Sequence, residues 1–303
     1  MSLTQTSDQA SAAPVVKITA QTLRQRKERR QQITSLTAYD YPTARLVDEA
    51  GVDVILVGDS LAMAVLGLPD TLSVTVEEML HHTRAVRRAV RRALLVADMP
   101  YGSYQISEEE GLRNALRFVK EGGAEAVKIE GGTSRAVLVD RLTRAEIPVV
   151  GHIGLTPQSL HRMGGYRVQG RSLAAIEMLR ADAAALEAAG AIAIVLEGVP
   201  REVAARITQE ISIPTIGIGA GSDCDGQILV FHDLFELTFS PAAKFVRRYG
   251  DAAELFRGGI AQFCDDVKER AFPSEAESYH LPLAVREEID AAADVQTLGA
   301  DVR

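Results

Sequence analysis

Apolar residues in this chain gather in short, near-continuous runs, and each run ends in a polar residue or a glycine cluster. In order they are ITSLTAYD (33–40), VDVILVGDS (52–60), ALLVADMP (93–100), AEAVKIEGG (124–132), PVVGHIGLTPQ (148–158), AIAIVLEGVP (191–200), PTIGIGAG (214–221) and QILVFHD (227–233). Runs that are apolar on both faces predict strands of a parallel sheet covered by helices. Helix signals fill the gaps. Pro42 opens one helix, which stops at Gly51, while Thr75 with Glu78 and Ser107 with Glu110 have capping-box spacing. The helix opening at Ser107 ends at Gly122-Gly123, and further helices are predicted over 134–145, 172–189, 200–211 and 252–270. Strand and helix alternating in this way predict a (β/α)8 barrel of the α/β class. A doubly wound open sheet is the alternative, weakened in its dinucleotide-binding form because the first βα turn has no GxGxxG.

The flanks carry less pattern. Residues 1–16 are polar and predict a disordered N-terminal tail, and 284–303 predict a flexible C-terminal tail. Residues 17–283 are then a single barrel domain. Within it, 17–31 predict an amphipathic helix whose Leu23 could plug the barrel floor. Two segments, 60–75 and 154–171, are too long for simple connectors and lie on the strand C-terminal side. The second, rich in Gly and polar groups, predicts a mobile lid or a substrate wall.

Composition narrows the partners. A length of 303 residues suits one barrel, and with 47% hydrophobic residues but no Trp the core must be built from Val, Ile, Leu and Ala. The net charge of −8 argues against a nucleic-acid surface, and the basic run RAVRRAVRR (84–92) is spaced like a solvated helix face. The only cysteines, Cys224 and Cys264, show no metal-ligand spacing, so reduced thiols in a cytoplasmic setting are expected. No leader pattern and no long apolar run is visible, so no membrane partner is expected.

Candidate chemistry sits at the run ends, where a barrel places its active site. Asp59 and Asp98 end neighbouring runs, and two carboxylates side by side repel unless a cation joins them. Mg²⁺ suits one or two carboxylates with water and substrate completing its shell. Either aspartate alone could equally cap a helix; the pair, with Glu130 on the next run, favours the metal. Lys128 and Glu130 leave the same strand face, as a structural ion pair or as groups facing an anionic substrate and the metal. His152 ends the fifth run, either as a hydrogen-bonded structural residue or as a site residue. Glu197 follows an apolar strand, so its ionised form should be disfavoured and its basicity raised toward that of a general base; a capping role is the alternative. GIGAG (217–221) fits an anion site or tight packing equally well. His81, His82 and His161 are expected to be non-catalytic.

Taken together, TAYDYPTA, VGDS, ADMPYGSY, VKIEGG, GHIGLTPQ, LEGVP and GIGAGSDCDGQILV stand in an order that resembles the ketopantoate hydroxymethyltransferases over residues 17–280. The resemblance implies a Mg²⁺-dependent barrel enzyme of pantothenate synthesis, with other divalent metals as alternatives. It implies transfer of a hydroxymethyl group from 5,10-methylenetetrahydrofolate to the keto acid 3-methyl-2-oxobutanoate, and a homo-oligomer, often a decamer. By position, Asp59 and Asp98 match metal-binding aspartates, with Glu130 close to the metal. Asp59, Ser60, Asp98, Lys128 and His152 match positions that hold the keto acid, and Glu197 matches the general base. Ala62, Tyr101 and Gly198 depart from the family pattern beside these positions. The isocitrate lyase and phosphoenolpyruvate mutase group shares the enolate chemistry, but its Lys-Cys-Gly-His type lid motif has no match here.

Overall fold

The structure, a computed structural model, describes residues 15–239 and 241–300, excepting the side chains of 292–300. Most of the expected N-terminal tail therefore lies outside the described residues. Eight parallel strands form a closed barrel in sequence order. They are β1 (Ile33–Thr37), β2 (Val54–Val57), β3 (Leu94–Asp98), β4 (Ala126–Glu130), β5 (Val149–Gly154), β6 (Ala193–Glu197), β7 (Thr215–Ile218) and β8 (Gly226–Leu229), with β8 pairing back onto β1. Closure removes every sheet edge, and the open-sheet alternative falls with it.

Two runs continue past their strands into helical turns. β5 stops at Gly154, and Pro157–Ser159 turn helically instead. Gly154 has φ +95°, and a Cβ there would meet the Glu197 carbonyl oxygen, so only glycine lets the chain leave the sheet at this point. The VFHD end of the last run is likewise a helical turn, Phe231–Leu234, because a short apolar run does not by itself distinguish strand from helix.

Alternation along the strands sends one set of side chains inward. Val54, Leu56, Leu94, Val96, Ala126, Val150, Ala193, Val195, Ile216 and Ile228 pack in the barrel interior, and Leu23 joins them as the plug expected from its helix, Ala20–Glu28. That helix is pinned by charge as well. Arg26 and Arg92 each lie 2.8 Å from the buried carboxylate of Asp53, and Lys27 lies 2.8 Å from Asp225. Arg92, from the basic run 84–92, is thereby spent on the barrel floor rather than on a solvated face.

Outside the barrel wall, helices cover the second strand face. Val76–Arg87 opens with the full capping box of Thr75 and Glu78. At Ser107 only half of the expected box forms, the hydroxyl accepting from Glu110 N at 3.1 Å. In the GIGAG segment, Gly219 (φ +61°) lies so close to the Phe245 ring that a Cβ would stand 2.6 Å from it. Tight packing accounts for that glycine.

By backbone contacts the chain divides into a unit ending at Gly250, which holds the barrel, and a unit from Asp251 onward. The second contains the helices Ala252–Lys268 and Leu283–Ala300. Among the described residues no helix is long and apolar enough to cross a membrane.

Candidate active site

The strand register brings the sequence-predicted residues to one rim. Asp98 is paired in register with Lys128, Glu130 with His152, and Gly154 with Glu197. Asp59 lies just beyond β2 and donates its backbone N–H to Asp98 Oδ2 at 3.1 Å. Asp59, Asp98, Lys128, Glu130 and His152 are all buried, at 2–5% exposure. Ser60 lies at the margin, its hydroxyl 2.8 Å from that of Tyr39.

So much buried charge persists only because the groups face one another. Lys128 Nζ lies 2.6 Å from Asp98 Oδ1, 3.2 Å from His152 Nδ1 and 4.0 Å from Glu130 Oε1. His152 Nδ1 is 3.5 Å from Glu130 Oε1, and its Nε2 is 3.2 Å from Glu197 Oε2. A line of alternating charge thus runs from Asp98 through Lys128, Glu130 and His152 to Glu197.

The protonation balance follows from these contacts. Burial pushes the Asp59 carboxyl well above the usual range, and the neighbouring charges of Asp98 and Glu130 add to the effect. Burial also raises Asp98, although Lys128 pulls it back. For Glu130 burial is outweighed by His152 and Lys128, and its carboxyl falls below the ordinary value. Burial and the Lys128 ammonium oppose a charge on His152, yet Glu130 and Glu197 outweigh them and lift the imidazole to about 9. Lys128 is raised, the surrounding carboxylates overcoming the cost of burial. Four carboxyl groups, those of Asp59, Asp98, Glu130 and Glu197, therefore face two cations, and burial raises the two aspartates.

Hard oxygen donors under mutual repulsion fit a divalent cation. Among the described residues no three His, Cys, Asp or Glu groups converge as a ready cage. A cation here would take a small number of protein oxygens and leave the rest of its shell to water and substrate, as Mg²⁺ does. Glu130 is engaged elsewhere, Oε1 toward His152 and Oε2 accepting the backbone N–H of Gln158 at 2.9 Å.

Glu197 is less enclosed than its apolar strand suggests, with 16% of its side chain exposed. His81 and His161 are exposed, and His82 Nδ1 meets the Tyr39 carbonyl oxygen at 2.6 Å, a structural contact. Of the departures from the family pattern, Ala62 is buried, Tyr101 is half-exposed and Gly198 adopts φ +54°.

Sequence reasoning missed two residues. Gln158 and Tyr104, both buried, are hydrogen-bonded to the Asp59 carboxylate and the Glu130 backbone respectively. Both are uncharged and lie beyond the strand ends, so no contrast of charge marked them. The signal available was their place inside the GHIGLTPQ and ADMPYGSY segments.

Comparison with known proteins identifies the family. A family model described as ketopantoate hydroxymethyltransferase matches residues 17–275. A 3-methyl-2-oxobutanoate hydroxymethyltransferase from Koribacter versatilis is 67% identical over 266 residues, covering 88% of this chain and 90% of that one. One from Carboxydothermus hydrogenoformans is 52% identical over 273 residues, covering 90% and 99%. Among solved structures, a phosphonopyruvate hydrolase complexed with oxalate and Mg²⁺ superposes with TM-score 0.56 at 16% identity, covering 94% of this chain and 99% of that one. A 2,3-dimethylmalate lyase of the PEP mutase/isocitrate lyase superfamily gives TM-score 0.55 at 18% identity, covering 94% and 98%. At such identities the structural likeness establishes the barrel fold alone. With a family match over residues 17–275 and relatives more than half identical along most of its length, this chain belongs to the ketopantoate hydroxymethyltransferases, a family of transferases.

Proposed function

We propose that the chain transfers a hydroxymethyl group from 5,10-methylenetetrahydrofolate to 3-methyl-2-oxobutanoate, giving 2-dehydropantoate and tetrahydrofolate in pantothenate (coenzyme A) biosynthesis. The names of its relatives supply the acceptor and the group transferred. The observation that carries the reading is the surplus of buried carboxylate at one rim, set beside a partly open Glu197. Asp59 and Asp98 would hold Mg²⁺, with Glu130 beside it. A bound Mg²⁺ would polarise the keto group, making the C3 hydrogen acidic and stabilising the enolate.

The remaining work falls to side chains. Lys128 and His152 present positive charge to the substrate carboxylate, and Ser60 offers a hydroxyl at the margin. Glu197 takes the proton from C3, held in place by His152 Nε2 at 3.2 Å. Water would release the methylene carbon at the formaldehyde level, both C–N bonds breaking and the two water protons passing to the folate nitrogens; the C3 carbanion then bonds to that carbon, whose oxygen takes the proton held by Glu197.

Assembly as a homo-oligomer, a decamer by family resemblance, belongs to the same proposal. Helix Ala252–Lys268 leaves Leu255, Ile260 and Phe263 more than half exposed, an apolar face of the kind that association covers. Free Cys224 and Cys264 suit a reducing cytoplasm.

The test omits one component at a time. 2-Dehydropantoate, followed by mass spectrometry, is expected only when keto acid, 5,10-methylenetetrahydrofolate and Mg²⁺ are all present. Product formed without the folate would remove it as donor.

A further inference from the structure

Gln158 stands where the segment after β5 meets the charged rim, and none of the roles described so far uses it. Its side chain is buried and makes four contacts. Nε2 donates to Asp59 Oδ2 at 2.9 Å and to the Met99 carbonyl oxygen at 3.0 Å. Oε1 accepts from the Tyr104 hydroxyl at 2.6 Å and from Gln105 Nε2 at 3.2 Å. These contacts fix which end of the amide is which, because a flipped group would set donors against donors and acceptors against acceptors. The backbone N–H of the same residue donates to Glu130 Oε2 at 2.9 Å. One residue therefore grips two carboxylates of the rim, one with its side chain and one with its main chain.

We infer that Gln158 is a positioning residue that aims the Asp59 carboxylate for a divalent cation and ties the segment 154–171 to the loaded site. The inference rests on the proposed metal role of Asp59. Its physical basis is the kind of donor used. Asp98 is held partly by a cation, Lys128, which competes with any metal for the same carboxylate. Asp59 is held by a neutral amide, which orients a carboxylate without cancelling its charge, so the oxygen donor stays attractive to a metal. Tyr104 and Gln105, on the loop after β3, orient the amide in turn. The Asp59 donor is thus set by groups from the connections after both β3 and β5.

Gln158 is followed directly by the rest of the segment 154–171. Tyr166 Oη lies 3.8 Å from Met63 Sδ, so the segment after β5 touches the one after β2. Anchoring at Gln158 fixes the near end of this segment.

The experiment uses the full chain and two variants, Gln158→Leu and Gln158→Met. Methionine keeps the length of the side chain and loses both hydrogen-bonding ends, so it remains informative if leucine impairs folding. Mn²⁺ affinity is measured directly by titration calorimetry, without substrate. Limited trypsin cleavage at Arg162, Arg167 and Arg171 reports on the segment. Loss of an outer hydrogen-bond partner predicts about 10- to 100-fold weaker Mn²⁺ binding, with faster cleavage of the segment and an unchanged circular-dichroism spectrum. Unchanged Mn²⁺ affinity in the variants, beside a wild type whose binding Asp98→Asn abolishes, overturns the inference and leaves the metal reading intact. Faster cleavage with unchanged affinity also overturns it, reducing Gln158 to an anchor. Absence of Mn²⁺ binding in the wild type sinks the metal reading and this inference together.

Discussion

Replacing Glu197 by glutamine is expected to slow hydrogen exchange at C3 of 3-methyl-2-oxobutanoate by about 10²- to 10⁴-fold, the usual contribution of a positioned base. Glutamine has nearly the same shape and keeps an oxygen that can face His152 Nε2, now 3.2 Å from the carboxylate. The charged rim of Asp59, Asp98, Lys128 and Glu130 is untouched, so keto acid and metal should bind much as in the wild type. Exchange is followed by proton NMR in D2O, and binding by calorimetry on the same preparation. A variant that still exchanges at the wild-type rate would place the base elsewhere. One that exchanges slowly only because it no longer binds keto acid would make Glu197 a binding residue.

Lys128→Met should be the most costly single change to stability. The ammonium is 2.6 Å from Asp98 and 4.0 Å from Glu130, with side-chain exposures of 5% or less throughout. Methionine fills much of the space but leaves the carboxylates without their cation. Breaking a buried pair in this way costs about 3–5 kcal/mol. The cost should depend on pH. Burial already raises the Asp98 carboxyl, Lys128 being the chief influence restraining it. Without Lys128 the folded-state value climbs further above that of the unfolded chain. A carboxyl raised on folding contributes its stability below its unfolded pKa and loses it as pH rises through the folded value. The gap between variant and wild type should therefore be small in acid and widen toward neutral pH. Urea unfolding with a chelator present, at several pH values, measures it. A gap that narrows as pH rises would contradict this account of the rim.

The fold was legible because burial on both strand faces leaves a simple trace: short apolar runs, each stopped by a polar group. Asp59, Asp98, Lys128, Glu130, His152 and Glu197 were legible for the same reason, since a charge at the end of such a run is out of place unless it serves the rim. Gln158 and Tyr104 were not legible. An amide and a phenol in connecting segments are ordinary there, and their value lies in partners such as Asp59, 99 positions away in sequence from Gln158. The surroundings of Glu197 were only half legible. Its own strand is apolar, but the group it faces, His152, comes from β5. Past Gly154 and Leu229 the chain turns helically, at Pro157–Ser159 and Phe231–Leu234, and a short run does not by itself mark where a strand gives way to a turn.

A divalent metal held by Asp59 and Asp98 is proposed to make C3 of the keto acid acidic. The most direct test is the rate at which wild-type protein exchanges that hydrogen with D2O, without folate, before and after metal removal. Rapid exchange with Mg²⁺, its loss on chelation and its recovery when Mg²⁺ is restored in excess are expected. Exchange at the same rate with and without metal would contradict that role of the metal.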